Sequence, residues 1–118
     1  MEFIFKIEEK PEVCILHFSG NLIEKSQALE MLERFEELLS KDIKKFIIDM
    51  YGFTYMNSTG LNVLLTILTR SRKAGGETIV CSVPENIKSL MLITRLNNIF
   101  TVAKNQKEAE KFLMKEVG

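Results

Sequence analysis

The sequence predicts an α/β fold: a mixed central β-sheet of four to five strands, opened by an N-terminal hairpin and accompanied by about four helices. Three observations predict it. Two strand-like apolar runs come first, helical and strand-like patterns alternate after them, and no repeat, low-complexity tract or linker interrupts that order. At 118 residues the chain is one domain, residues 1–118, long enough for a single core and too short for two.

Residues 3–8 and 13–18 form the opening hairpin, joined by the polar link Glu9-Lys10-Pro11-Glu12. Next, Ala28, Met31, Leu32, Phe35, Leu38 and Leu39 recur at three- and four-residue steps with charged residues between them. This spacing predicts an amphipathic helix that ends near Ser40. Residues 46–50 read as the third strand, closing on Asp49-Met50. A second helix begins near Asn57 or Ser58 and carries Leu61, Val63, Leu64, Leu65, Ile67 and Leu68 toward Arg70. Gly75-Gly76 supply the permissive backbone that closes it, with Arg70, Arg72 and Lys73 complementing its negative end.

Residues 78–83 read as the fourth strand. Pro84-Glu85 then opens a third helix through Ile87, Leu90, Met91 and Leu96, proline being tolerated in a first helical turn. Residues 99–102 form a short fifth strand, and Asn105 with Glu108 predicts a capping box ahead of a last helix using Ala109, Phe112 and Leu113. Helical crossovers make the later strands parallel, whereas the hairpin is antiparallel.

Composition narrows the function. Sixteen basic and sixteen acidic side chains cancel, which leaves no electrostatic footprint for nucleic acid. No run reaches the roughly 18 apolar residues of a membrane span, so the chain is expected to be cytoplasmic, without membrane insertion, and monomeric. Cys14 and Cys81 sit among apolar strand residues as reduced, buried thiols. His17 is the single histidine, so no metal site and no cofactor is expected; it reads as a strand residue facing solvent or a partner. No activated nucleophile and no glycine-rich phosphate loop is visible, and the chain does not read as an enzyme.

The stretch from Asp49 to Leu61 carries the most information. It leads from an apolar strand into a helix headed by Asn57, Ser58 and Thr59, residue types that cap a helix start. Free backbone N–H groups and the positive pole of the helix would favour a phosphoryl group on Ser58, with Thr59 as the alternative acceptor. At about 100° per residue, the apolar side chains of this helix cover over half its circumference. That width leaves two readings: contact with a neighbouring helix, or a docking patch that includes Val63 and Ile67.

The run Thr54-Tyr55-Met56-Asn57-Ser58-Thr59-Gly60-Leu61-Asn62-Val63-Leu64 resembles the signature of STAS-domain proteins of the anti-sigma-factor-antagonist family. Gly20-Asn21-Leu22 after the second strand, Asp49, and Gly75-Gly76-Glu77 extend the resemblance over essentially the whole chain. It implies a serine-phosphorylation-controlled switch. The unphosphorylated protein would sequester a kinase-type anti-sigma factor, the phosphorylated one would not, and a serine phosphatase would reset it. Ser58 matches the phosphorylated residue; Asn57, Gly60 and Asp49 are its neighbours; Asn21, Met56, Asn57, Ser58, Thr59, Asn62, Val63 and Ile67 form the expected partner surface. Asn57 stands where the family usually has aspartate, and Ile23 where an acidic residue is frequent. For Asp49 the expected role is to satisfy amides of the following loop.

Two other readings are carried. One keeps the fold as a constitutive interaction module in a transporter-associated or sensory complex. The other is a two-component receiver domain, with Asp49 as phosphoacceptor and Glu8, Glu9, Ser82 and Lys104 around it. Receivers alternate strand and helix from the start, whereas this chain opens with two strands.

Overall fold

The computed structural model describes residues 2–117, with side chains as far as residue 114. Five strands lie in the order β1-β2-β3-β4-β5: β1 Phe3–Glu9, β2 Cys14–Leu22, β3 Lys45–Met56, β4 Glu77–Cys81 and β5 Thr101–Ala103. The β1–β2 pair is antiparallel and the other three pairs are parallel. Between them run α1 Leu29–Ser40, α2 Ser58–Lys73 and α3 Glu85–Ile93, and α4 Gln106–Val117 closes the chain.

From β2 onward every crossover steps in the same direction across the sheet. Right-handed crossovers then place α1, α2 and α3 on one face. Strand alternation matches this division. Cys14, Leu16, Phe18, Phe46, Ile48 and Met50 point into the large core beneath those helices. Ile15, Ile47, Ile79 and Cys81 point the other way, toward Ala109 and Leu113 of α4. Because α4 follows the far edge strand, it shields only part of that second face. His17, Asp49 and Tyr51 lie on the uncovered part, beside Lys6 of β1.

The expected order and mixed sheet are observed, and several boundaries move. The second and third strands are longer than the sequence predicts: Gly20-Asn21-Leu22 and the segment from Tyr51 to Met56 belong to β2 and β3, not to turns. Two register shifts between these strands absorb the irregular residues. Gly20 sits at φ 82°, and a Cβ there would collide with the Glu2 carbonyl, so this position requires glycine. A 3₁₀ turn at Lys25–Ala28 precedes α1. The third helix stops at Ile93, because Arg95 adopts φ 63° and Leu96 falls in a separate 3₁₀ turn. The last helix is capped as expected by Asn105, whose Oδ1 accepts from Glu108 N–H at 2.9 Å. The Glu108 carboxylate reaches back to Lys104 N–H, one residue before the expected position.

The wide apolar stripe of α2 packs on β3 and β4, and its flank meets α1 and the 3₁₀ turn. Leu64 and Ile67 are completely buried and Val63 is 4% exposed. Contact within the domain therefore accounts for the stripe. Both cysteines are buried, free thiols. Burial pushes Cys14 up to about 12, helped by Glu9; burial, with Asp49 second, pushes Cys81 up to about 11.

Candidate functional site

The parallel strand β3 delivers the chain to Asn57 at its C-terminal end, where strand-to-helix loops of an α/β sheet present functional groups. Asn57 has extended backbone geometry and caps α2: its Oδ1 accepts from Thr59 N–H at 3.0 Å and from Gly60 N–H at 3.2 Å. Its Nδ2 donates to the Ile23 carbonyl at 3.1 Å. One amide side chain thus ties the α2 start to the loop after β2. A carboxylate could provide the first two bonds but not the third, since it only accepts.

The loop is held from its other side by Gln27. Its Oε1 accepts from Ile23 N–H at 2.9 Å and Glu24 N–H at 3.0 Å, while Nε2 donates to the Asn21 carbonyl at 3.3 Å. Asn21 Oδ1 is buried beside this loop without a protein partner among the described residues. Gly60 closes the arrangement. A Cβ there would lie 2.6 Å from Met56 Cβ and 2.7 Å from the Leu22 carbonyl, so the first turn of α2 reaches the end of β2 only with glycine at this place.

Ser58, the first residue of α2, is exposed, and Thr59 behind it is half-buried. The expectation of free amides is corrected here, because the Asn57 side chain already engages the N–H groups of Thr59 and Gly60. The favourable helix field remains at Ser58, but these two donors are occupied.

A groove of about 450 Å³ runs from Ser58 along α3, between Tyr55 and Ile93, with Asn86, Ser89 and Leu90 along it. None of its lining side chains is charged. Asn86 fixes one wall by donating from Nδ2 to the Thr54 carbonyl at 2.8 Å. Tyr55 is 50% exposed and Ile93 80%, and Ile23, on the other side of Asn57, is also exposed. The surface around Ser58 therefore combines apolar knobs with neutral amides and hydroxyls.

Of the expected partner residues, the structure brings Asn57, Ser58, Thr59 and Asn62 to this end of α2, with Asn21 half-buried in the adjoining loop. Met56, Val63 and Ile67 are corrected: Met56 and Ile67 are fully buried, Val63 nearly so, and none is available for docking. Tyr55 and Ile93 are not among the expected partner residues, and Ile23 is noted only as standing where an acidic residue is frequent; an apolar type at an exposed position is the signal for all three.

Asp49 lies apart from Ser58, on the open sheet face. Its Oδ1 accepts from Tyr51 N–H at 3.1 Å, the expected role of satisfying a nearby amide, and its Oδ2 lies 2.8 Å from His17 Nδ1. His17 does not simply face solvent, because its Nε2 lies 2.9 Å from Glu8 Oε1. The imidazole stands between the two carboxylates, so the three side chains do not converge on one point. Among the described residues no group of three His, Cys, Asp or Glu side chains is arranged to hold a metal ion.

Comparison with known proteins agrees with the fold. Residues 5–109 match the STAS domain family. A stretch of 71 residues is 28% identical to BtrV of Bordetella bronchiseptica, a protein designated an anti-sigma factor antagonist; the match spans 60% of each chain. An anti-sigma F factor antagonist of Paenibacillus polymyxa is 23% identical over 109 residues, covering 92% of this chain and 93% of that one. Among solved structures, the phosphorylated form of the Bacillus cell fate determinant SpoIIAA aligns with a TM-score of 0.72 at 14% identity, over 92% of this chain and 99% of that one. The murine anion transporter Slc26a9 aligns with a TM-score of 0.69 at 14% identity, the match taking 92% of this chain and only 18% of the transporter. By its family match and its sheet and helix order, the chain belongs to the STAS domain family and has the fold of the anti-sigma factor antagonists.

Proposed function

We propose that this protein is an anti-sigma factor antagonist, a protein-binding switch controlled by phosphorylation of Ser58. The observation that carries this reading is the position of Ser58: exposed, at the first residue of α2, and on the rim of a groove lined by no charged side chain. Unphosphorylated, that surface docks on a kinase-type anti-sigma factor through apolar and neutral hydrogen-bonding contacts. A phosphoserine brings about −1.5 to −2 charges and three strong acceptors. In the free protein those oxygens stay in water near the positive end of α2, worth roughly 0.3–1 kcal/mol. In the complex they would have to be desolvated, and each ~1.4 kcal/mol so lost weakens binding tenfold.

The switch in this reading is a non-enzymatic, cytoplasmic monomer that needs no refolding, and a serine phosphatase restores it. Thr59 is the lesser acceptor because it lies half-buried behind Ser58. The alignment with a domain of an anion transporter favours one second reading, a constitutive interaction module in a larger assembly. Incubation with ATP and the kinase-type anti-sigma factor of the same organism, followed by titration of that factor, separates the two. The switch reading expects a phosphate on Ser58 and loss of binding after it forms. Equal binding by the unmodified protein, Ser58→Asp and Ser58→Ala would leave the constitutive module.

A further inference from the structure

On the sheet face that α4 leaves uncovered, a cluster of ionisable side chains is separate from the surface around Ser58. The His17 ring has Nδ1 2.8 Å from Asp49 Oδ2 and Nε2 2.9 Å from Glu8 Oε1. An ionised carboxylate only accepts, and a neutral imidazole has one N–H. Both contacts are hydrogen bonds together only when the ring carries both protons.

We propose that Glu8, His17 and Asp49 form a proton-operated latch that fastens the edge strand β1 to β3 across β2. It is closed while His17 is an imidazolium and opens at Glu8 when the ring is neutral. This inference does not depend on the reading of Ser58. The side that opens follows from the surroundings. Asp49 is held a second time by Tyr51 N–H, and its side chain is 16% exposed, against 44% for Glu8. When the Nε2 proton leaves to solvent, the remaining N–H stays on Asp49. The Nε2 lone pair then faces the Glu8 carboxylate, and Glu8 turns into water.

The charged groups around the latch act on the ring in both directions: the Glu8 and Asp49 carboxylates favour the imidazolium, and Lys6 and Lys10 oppose it as like charges. Lys6 of β1 is the strand partner of His17, and Lys10 lies in the hairpin link. Tyr51 stands on β3, and on β4 Cys81 pairs with Asp49 from the buried side. The hydrogen bond from His17 is the main cause holding the Glu8 carboxyl below its ordinary value, against some desolvation and with help from Lys10 and Lys6. The other end of β1 is anchored independently, because the Phe3 ring packs on Phe18 and Phe53 at 5.1 and 6.4 Å. Opening is therefore confined to residues 7–9, because Lys10 of the hairpin link is itself paired with Glu110 of α4 at 3.3 Å.

Because His17 is the single histidine, ring ¹⁵N NMR of the whole protein reads it without assignment ambiguity. The latch predicts that the ring keeps protons on both nitrogens to higher pH in the wild type than in Glu8→Gln, whose neutral amide can accept from or donate to Nε2. Exchange of the amides of residues 7–9, taken relative to the amides of β3, should rise about fivefold from pH 6 to pH 9 in the wild type and stay flat in Glu8→Gln. The same ring state in both proteins at every pH, or equal exchange profiles, would overturn the latch.

Discussion

Two polar networks of this domain are built from opposite materials. Around Ser58 the connecting groups are neutral amides: Asn57, Gln27 and Asn86 tie the ends of β2, β3 and α3 together, beside a groove lined by no charged side chain. On the uncovered face of the sheet, Glu8, His17 and Asp49 join three strands through ionic groups. The amides of the first network do not titrate, so the phosphate proposed for Ser58 would be its main change of charge. The second changes with a single proton. In the proposed switch, the groove beside Ser58 would answer to a covalent signal while the ion pairs elsewhere respond to the medium.

The contrast can be broken most severely at Ser58. Ser58→Asp should weaken binding of the kinase-type anti-sigma factor by at least about a hundredfold, ~2.7 kcal/mol, in titration calorimetry. Its unfolding midpoint should stay close to that of the wild type, because Ser58 is exposed. Gly60→Ala tests how tightly the neutral network is assembled. Its Cβ would strike Met56 and the Leu22 carbonyl, and urea unfolding should show a loss of about 1–3 kcal/mol.

At Asn57 the order of two variants sharpens the comparison. Asn57→Ala should cost about 1 kcal/mol by removing the cap, whereas Asn57→Asp should cost less, since it keeps the cap and loses only the bond to Ile23. The smallest effect concerns acid. The Glu8 carboxyl is held below its ordinary value in the folded protein, so its contribution to stability is full above that ordinary value. It is lost as pH falls through the lowered folded value, and His17→Gln should flatten this part of a stability-versus-pH curve.

The sequence made the Ser58 end legible because its signals are local: Asn, Ser and Thr at a helix start, preceded by an apolar strand, within a dozen residues. The extension of β3 through Tyr51 to Met56 was less legible, since Gly52 interrupts the apolar run and resembles a turn when the β2 partner strand is not in view. The width of the α2 stripe was visible, but its cause was not. Two layers, the sheet below and α1 beside it, bury Val63 and Ile67, and a single-helix pattern does not say which neighbours cover it. The latch was hidden for a different reason. Glu8 and Asp49 are 9 and 32 residues from His17, and only strand pairing brings them to one face.

The switch requires Ser58 to be modified in use, and site-resolved mass spectrometry of the protein from its native cells tests that most directly. Samples taken across growth and stress conditions, each with and without phosphatase, should show a phosphatase-sensitive phosphate on Ser58 whose occupancy changes. An unmodified Ser58 under every condition would contradict the switch.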